Sequence, residues 1–192
     1  MNQNTTKELR KISALNNFVT NCVDLRKLEK LLGKFNILRI LGSVYGELKH
    51  SNILAWLLQP KETHGLGDLF LRRFLMKIRN DSADIIDTDL PDLVALDTGE
   101  FQSVKVFREW QNIDLFILIK TEKEYWAIVI ENKVWSTQYS GQLKKYRRII
   151  EENPEFKKRM FIFLTRNNEE PKDRSYIPAD YEQIHSVLTE CM

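Results

Sequence analysis

Residues 113–119, Ile-Asp-Leu-Phe-Ile-Leu-Ile, and residues 126–133, Trp-Ala-Ile-Val-Ile-Glu-Asn-Lys, decide how this chain folds. Both runs are short and rich in β-branched and aromatic residues, which is typical of strands that are buried on two faces. A short polar segment at 121–124, Thr-Glu-Lys-Glu, separates them. The sequence therefore predicts an antiparallel β-hairpin.

Charged side chains stand at the open end of this hairpin. In an antiparallel pair the residue numbers of opposed positions have a constant sum, so a turn centred on Glu122 and Lys123 places Asp114 opposite Glu131. Directly opposed side chains share one face of the sheet and lie about 5 Å apart. Lys133, two residues beyond Glu131, points to that same face. Two carboxylates and an ammonium group are therefore predicted to converge.

This combination of charges predicts chemistry at the hairpin end. Burying such a cluster costs several kcal/mol unless the charges are paired with one another or with an ion. A hard divalent cation relieves the repulsion between two carboxylates, and Mg²⁺ leaves its other positions to water and phosphate oxygens. A nearby lysine can orient or deprotonate an attacking water, or stabilise charge on a phosphate. The same spacing is also compatible with a buried salt-bridge cluster at a strand end.

Asp114 followed by Glu131-Asn132-Lys133 resembles the signature of the PD-(D/E)XK nuclease superfamily, in which an Asp on one strand precedes Glu-X-Lys on the next. Ile113 stands where the signature has a proline. The resemblance implies an α/β fold with a restriction-endonuclease-like core. In that core an antiparallel hairpin and a parallel strand form a mixed central sheet that helices flank, and a helical region precedes it.

The region before the sheet carries a second part of the resemblance, to one bacterial branch of the superfamily. The matching residues are Glu47, His50-Ser51, the Leu-Ala-Trp-Leu-Leu run at 54–58, Pro60, and His-Gly-Leu-Gly at 64–67 before Phe70-Leu71. This match implies that Glu47 is an additional carboxylate of the metal site. From the residues alone, Glu47 is also explained as a solvated helix glutamate and His50 as a capping or core histidine.

Helical patterns fill the first part of the chain, over residues 5–48, with Gly33 as a break. Ser51 is predicted to cap a short helix over 53–58, and Asp68 another over 69–78. The acidic residues 79–100 are expected to form an irregular, solvated connection. A strand is predicted over 101–110, leading into the hairpin.

A helix and further strands are predicted after the hairpin. The helix ends near Glu152, and its core stripe consists of Tyr139, Leu143, Tyr146 and Ile150. Residues 160–165 form another apolar run, and a strand-helix-strand order predicts that it pairs in parallel with the preceding strand. Residues 181–188 are predicted to give a short final strand and helix.

In the superfamily, a Gln followed four residues later by a Tyr marks the helix after Glu-X-Lys, which implies that Gln142 lies near the active site. Tyr146 is explained equally well as a core residue. The densest basic cluster of the chain lies on the same helix and consists of Lys144, Lys145, Arg147 and Arg148. Beside a phosphodiester-cleaving site this cluster could contact the DNA backbone, although such clusters are usually just solvated faces.

These observations lead to one functional hypothesis, a metal-dependent nuclease that hydrolyses DNA phosphodiester bonds. Asp114 and Glu131 would hold Mg²⁺ or Mn²⁺ with help from the Asn132 carbonyl and from Glu47, while Lys133 and Gln142 would handle the nucleophilic water. Roles in defence, restriction or repair are compatible with the resemblance. The alternative is a catalytically inactive nucleic-acid-binding or assembly module that retains the nuclease fold. A zinc hydrolase is disfavoured because the histidines and cysteines lack ligand spacing.

Composition sets the outer bounds of the hypothesis. The chain has 192 residues, 43% of them hydrophobic, and a formal net charge of +2. We expect one nuclease-like domain over 1–192, with a helical part at 1–80 and the catalytic sheet core at 100–192. No apolar run is long enough to span a membrane and no signal-peptide core is present, so we expect a cytoplasmic protein without a membrane partner.

Two further expectations concern partners and the end of the chain. Nucleic acid, most simply DNA, is the expected partner, and a homodimer is compatible with the resemblance. The chain ends at Met192, sooner than is usual in the superfamily. We therefore expect it to be short at its C-terminal end, with elements that select the substrate missing there.

Overall fold

The computed structural model describes residues 47–82, 89–134 and 141–191 of the chain, except for the side chain of Glu47. The helices predicted before residue 47 lie outside these residues, so the division into a helical part and a sheet core stays a prediction. The described elements are α1 (Glu47–Leu58), α2 (Leu69–Asp81), α3 (Leu93–Thr98), β1 (Ser103–Trp110), β2 (Ile113–Lys120), β3 (Tyr125–Lys133), α4 (Gln142–Glu151), β4 (Phe156–Thr165), β5 (Ile177–Asp180) and α5 (Tyr181–Cys191).

A five-stranded mixed sheet forms the centre of the fold, with its strands in the order β1-β2-β3-β4-β5. β1 pairs with β2 and β2 with β3 in antiparallel fashion, whereas β4 is parallel to both β3 and β5. The ladder between β2 and β3 opposes Leu115 to Ile130 and Lys120 to Tyr125. This register confirms the predicted hairpin, and the ladder between β3 and β4 confirms the predicted parallel pairing.

Helices cover both faces of the sheet, which gives three layers and two cores. On one face, α1, α2, α3 and α5 pack against apolar side chains such as Ile117, Ile128 and Ile162. On the other face, α4 packs against Phe116, Val129 and Phe163. Alternate residues of β2, β3 and β4 thus enter opposite cores, as the two-residue period of a strand requires. This architecture is the restriction-endonuclease-like α/β fold that the resemblance implied.

The predicted Ser51 cap is wrong, whereas the Asp68 prediction is confirmed in position but not in its side-chain hydrogen bond. α1 runs without interruption from Glu47 to Leu58, so Ser51 lies inside the helix, where its buried side chain accepts a hydrogen bond from Asn132. Asp68 stands at the N-cap position of α2, but its side chain makes no capping bond and accepts from Arg72 Nε at 2.8 Å instead. At Asp68, therefore, a side-chain donor and not the backbone takes up the carboxylate oxygen.

The acidic connection is more ordered than predicted, because it contains the short helix α3. Asp92 caps α3 by accepting from the backbone N–H of Ala95 at 2.8 Å. Arg72 of α2 holds the other end: its guanidinium donates to the carbonyls of Leu96 and Gly99, each at 2.8 Å. The same guanidinium lies 3.8 Å from the centre of the Phe101 ring. These contacts join α2 to the segment that enters β1.

The turn between β1 and β2 brings a backbone carbonyl to the end of the sheet. Glu109 has a φ of +54° and stands opposite Asp114, between the ladder pairs Arg108 with Leu115 and Trp110 with Ile113. Gln111 and Asn112 follow with φ values of +51° and +67°, which is typical of the two-residue turns that close tight hairpins. The Asn112 carbonyl accepts a hydrogen bond from the Tyr146 hydroxyl of α4.

Candidate active site

Asp114 lies at the open end of the central hairpin, one residue before the last ladder pair, Leu115 with Ile130. Continuing that register places Asp114 opposite Glu131, as predicted. Asp114 Oδ2 accepts a hydrogen bond of 2.8 Å from the backbone N–H of Asn132. The carboxylate of one strand is therefore fixed directly on the backbone of the other, next to Glu131.

Glu131 and Lys133 form an ion pair on the face of the sheet that α4 covers. Lys133 Nζ lies 2.9 Å from Glu131 Oε1, and the Glu131 side chain has no exposed surface while Lys133 is 11% exposed. Burying a carboxylate is costly unless a cation and hydrogen bonds compensate it, and Lys133 supplies the cation. The two-residue spacing on one strand brings these side chains together, as the sequence predicted.

Gln142, the first residue of α4, completes the polar shell of Glu131. Its Nε2 atom donates to Glu131 Oε1 at 2.8 Å and to the Tyr146 hydroxyl at 2.9 Å. Gly141 directly before the helix has a φ of +89°, a conformation that glycine adopts without strain. The structure therefore brings Gln142 to the predicted carboxylate, which makes the N-terminal end of α4 one wall of the site.

Tyr146 has both of the roles that the sequence left open. Its ring is buried in the core beneath α4, while its hydroxyl joins the polar group by accepting from Gln142 and donating to the Asn112 carbonyl. Burial raises the pKa of Tyr146, and the nearby carboxylates of Glu131 and Asp114 raise it further, against the lowering effects of the Gln142 hydrogen bond and Lys133. The phenol is thus kept protonated and able to donate.

The side chain of Asn132 points away from the site, to the opposite face of the sheet. Nδ2 donates to Ser51 Oγ of α1 at 3.1 Å, and Oδ1 accepts from the Tyr181 hydroxyl of α5 at 2.7 Å. Sequence reasoning assigned Asn132 only a backbone carbonyl role and missed these partners. The alternation of β3 places Asn132 on the face opposite to Glu131, but nothing local indicates which distant residues meet it there.

The N-terminal signature residues begin α1. His50 lies near the Asn132 contacts, with its ring centre 5.5 Å from that of Tyr181 in an edge-on arrangement. Glu47 is the first residue of α1 and precedes Ser51 by about one helical turn. Its side chain lies outside the described part of the structure, so its place in a metal site stays a prediction.

The sequence profile of the PD-(D/E)XK nuclease superfamily matches residues 35–192. The chain belongs to the PD-(D/E)XK nuclease superfamily. Membership supports a nuclease-type function in general terms, and the match includes every residue of the candidate site. No curated protein and no solved structure matches this sequence.

The donor set of this PD-(D/E)XK site suits a hard cation. Asp114 and Glu131 contribute carboxylate oxygens, and Mg²⁺ or Mn²⁺ in proteins takes one or two of these together with water and phosphate oxygens. Across the described ranges, no group of three or more His, Cys, Asp or Glu side chains is placed to hold a metal ion. The two carboxylates of Asp114 and Glu131 fit a hard cation that takes its remaining ligands from water and phosphate.

The basic cluster on α4 divides into two parts. Lys144, Lys145 and Arg148 are exposed, and Arg148 makes only a loose contact of 3.5 Å with Glu152. Arg147 is instead engaged within the protein: it donates to Ser175 Oγ at 2.7 Å and lies 3.5 Å from the buried Asp173 carboxylate. Of the four predicted nucleic-acid contacts, Arg147 is thus the one whose guanidinium is committed to structural partners.

No helix in the described ranges is long and apolar enough to cross a membrane.

Proposed function

We propose that this protein is a Mg²⁺- or Mn²⁺-dependent deoxyribonuclease that hydrolyses phosphodiester bonds. The observation that carries the proposal is the buried Lys133–Glu131 contact of 2.9 Å beside the Asp114 carboxylate, in a chain of the PD-(D/E)XK superfamily. A buried acid, a second acid and a lysine at one strand end are costly to keep without chemistry to perform.

Asp114, Glu131 and the Asn132 carbonyl would hold the divalent cation, and Glu47 would complete the shell directly or through water. When bound, the cation supplies Lewis acidity and offsets the negative charge of the scissile phosphate. The chain's own contribution is to keep both carboxylates in place. Asp114 is held by the Asn132 N–H, and Glu131 by Lys133 and Gln142, whose nitrogen atoms lie 2.9 Å and 2.8 Å from Oε1.

Lys133 and Gln142 would act on the attacking water. Both present N–H donors at Glu131 Oε1, so both lie beside the place where a phosphate would meet the carboxylates. An ammonium group there can orient the water, transfer a proton, or stabilise the charge that develops on the phosphate oxygens. Gln142 remains neutral and therefore serves to position the water and Glu131.

The exposed cations of α4 support nucleic acid as the substrate. Lys144 and Lys145 lie in the first turn of the helix that Gln142 begins, and Arg148 follows one turn later. Cations in the first two turns of this helix would contact the phosphates that flank the scissile bond. Such contacts add affinity without reading the sequence. We assign DNA as the substrate and leave Arg147 out of the contact surface.

The proposal is tested by incubating the purified protein with linear, circular and branched DNA, and with RNA, in Mg²⁺, Mn²⁺ or EDTA. We expect cleavage of DNA in either metal and none in EDTA. Cleavage of linear DNA alone indicates an exonuclease, whereas cleavage of circular DNA indicates an endonuclease. Binding of these substrates without cleavage in any metal would replace the proposal with an inactive nucleic-acid-binding module.

A further inference from the structure

Asn132 connects the candidate active site to two helices on the other side of the sheet. Its side chain has no exposed surface, and Ser51 is 5% exposed. Ser51 of α1 stands 81 residues before Asn132, and Tyr181 of α5 stands 49 residues after it. Two distant segments of the chain therefore hold the two ends of one buried amide group.

Burying this amide group costs more free energy than burying an apolar side chain at the same position. A buried amide loses its hydrogen bonds to water and is tolerated only where protein partners replace them. The neighbouring residues on this face of β3 are apolar, Trp126, Ile128 and Ile130, and they pack without such requirements. Asn132 breaks that pattern at the one position that separates Glu131 from Lys133.

The same residue also contacts the reacting face through its backbone. The N–H of Asn132 donates to Asp114 Oδ2 at 2.8 Å, while its side chain is held from behind. Fixing both ends of the amide fixes the side-chain torsions and thereby restricts the backbone of β3 at this residue. The direction of that N–H, and of the Glu131 and Lys133 side chains on either side, is restricted with it.

We propose that Asn132 is a positioning residue, and that its side chain, clamped by Ser51 and Tyr181, sets the mutual geometry of Asp114, Glu131 and Lys133. The inference rests on the proposed nuclease function, because a fixed geometry affects turnover only if these groups act together on a substrate. Misplacement of reacting groups by about 1 Å can cost roughly 10²-fold in rate. Loosening the clamp therefore lowers turnover rather than binding of DNA.

Two variants each remove one half of the clamp without removing its bulk. Tyr181→Phe deletes the hydroxyl that donates to Asn132 Oδ1, and Ser51→Ala deletes the oxygen that accepts from Nδ2. We expect kcat to fall roughly tenfold to a hundredfold in each, with KM for DNA unchanged. Ser82→Ala is the matched control, because Ser82 is also buried and bonds only to backbone carbonyls at the end of α2.

A second measurement does not depend on turnover. Hydrogen exchange of the Asn132 amide, followed by NMR, reports how firmly its N–H is held on Asp114. At a temperature where all variants are folded, exchange of this amide should be about tenfold or more faster in Tyr181→Phe and Ser51→Ala. Amides in the middle of β3 should exchange as in the wild-type protein, and Ser82→Ala should leave the Asn132 amide unaffected.

The two measurements separate the inference from the function on which it rests. Unchanged exchange at Asn132, or a uniform rise along β3, overturns the positioning role, since the clamp would then be inert or merely stabilising. A kcat equal to that of wild type in both folded variants overturns it as well. If the wild-type protein cleaves nothing, the proposed function fails, and selective exchange at Asn132 still decides whether the clamp holds this N–H on Asp114.

Discussion

The backbone N–H of Asn132 donates a 2.8 Å hydrogen bond to Asp114 Oδ2 just beyond the last ladder pair of β2 and β3. Beyond that pair, the Asn132 N–H is therefore bonded to a side-chain carboxylate of β2, and this bond holds the two strand ends together. Asp114 is both a structural acceptor and a candidate metal ligand, so a substitution must keep the first role in order to test the second.

Asp114→Asn meets that condition, because asparagine keeps a side-chain oxygen for the Asn132 N–H while it loses the negative charge. We expect the affinity for Mn²⁺ to fall by at least about tenfold, since a hard cation depends on charged oxygen ligands. The melting temperature should stay within about 4 °C of wild type. Isothermal titration calorimetry measures the first quantity and thermal unfolding the second.

Asp89→Asn is the control for that experiment. Asp89 accepts from Arg159 at 3.1 Å, and Arg159 lies in the half of β4 that pairs with Ala127, away from Glu131. Its substitution removes the same charge from another part of the fold, so Mn²⁺ affinity should not change. Equal affinity in Asp114→Asn and wild type would contradict the metal assignment.

Lys133→Ala separates catalysis from binding. We expect turnover to fall by about 10² to 10⁴, the range that acid-base and electrostatic groups contribute, with DNA affinity largely kept. The variant should also be less stable, because the buried Glu131 carboxylate loses its cation. Single-turnover cleavage and DNA-binding titrations, both below the melting temperature, measure the two effects.

The matched control is Lys77→Ala, which breaks a surface ion pair with Asp81 on α2. Exposed pairs of this kind contribute about 0–1 kcal/mol, so both cleavage and stability should be close to wild type. A folded Lys133→Ala protein that cleaves DNA at the wild-type rate would exclude the role that we assign to this lysine.

Replacing Lys144 and Lys145 together by alanine should weaken DNA binding without changing turnover at saturating DNA. If both contact phosphates, the slope of log affinity against log salt concentration becomes shallower by roughly 0.9 per lost contact, or roughly 2 in total. Fluorescence anisotropy over a series of salt concentrations measures this slope.

Lys123 and Lys157 are exposed at the end of the sheet that lies away from the candidate site. Replacing both by alanine is therefore a control that removes the same charge. If this control makes the salt slope as shallow as the replacement of Lys144 and Lys145 does, the proposed contact surface on α4 is wrong. Arg147→Ala should differ from both pairs by lowering thermal stability, because it releases Asp173 and Ser175.

Tyr146→Phe tests the hydroxyl that joins α4 to the β1–β2 turn. Losing the bonds to Gln142 and Asn112 should cost about 0.5–1.5 kcal/mol at neutral pH. Burial raises the pKa of Tyr146, so its contribution is fully present below the pKa of an unfolded tyrosine, about 10, and is lost as the pH rises through the folded value. Stability should therefore fall less steeply above pH ~10 in Tyr146→Phe, as urea unfolding at several pH values would show.

How much could be predicted from the sequence depended on the range of the interactions. The hairpin register followed from a short turn, and the pairing of Glu131 with Lys133 followed from strand alternation. Both are local consequences of backbone geometry. The Ser51 cap failed because the helix already begins at Glu47, and Asp68 stands at the predicted N-cap position but gives its side-chain oxygen to Arg72. The clamp on Asn132 could not be predicted, since its partners lie 81 and 49 residues away.

The five strands that the structure describes lie in the sheet in their chain order, so each ladder between them joins strands that are neighbours in sequence. Ladders between neighbouring strands close short loops and can form early in folding. The side-chain contacts of Asn132 join segments that are far apart in the chain, so they cost more loop-closure entropy. Asp114, Glu131 and Lys133 lie on neighbouring strands, whereas Tyr181 stands 49 residues after Asn132. We therefore expect the contact between Tyr181 and Asn132 to be among the later ones to form during folding, so that the candidate site reaches its final geometry only after α5 has packed on the sheet.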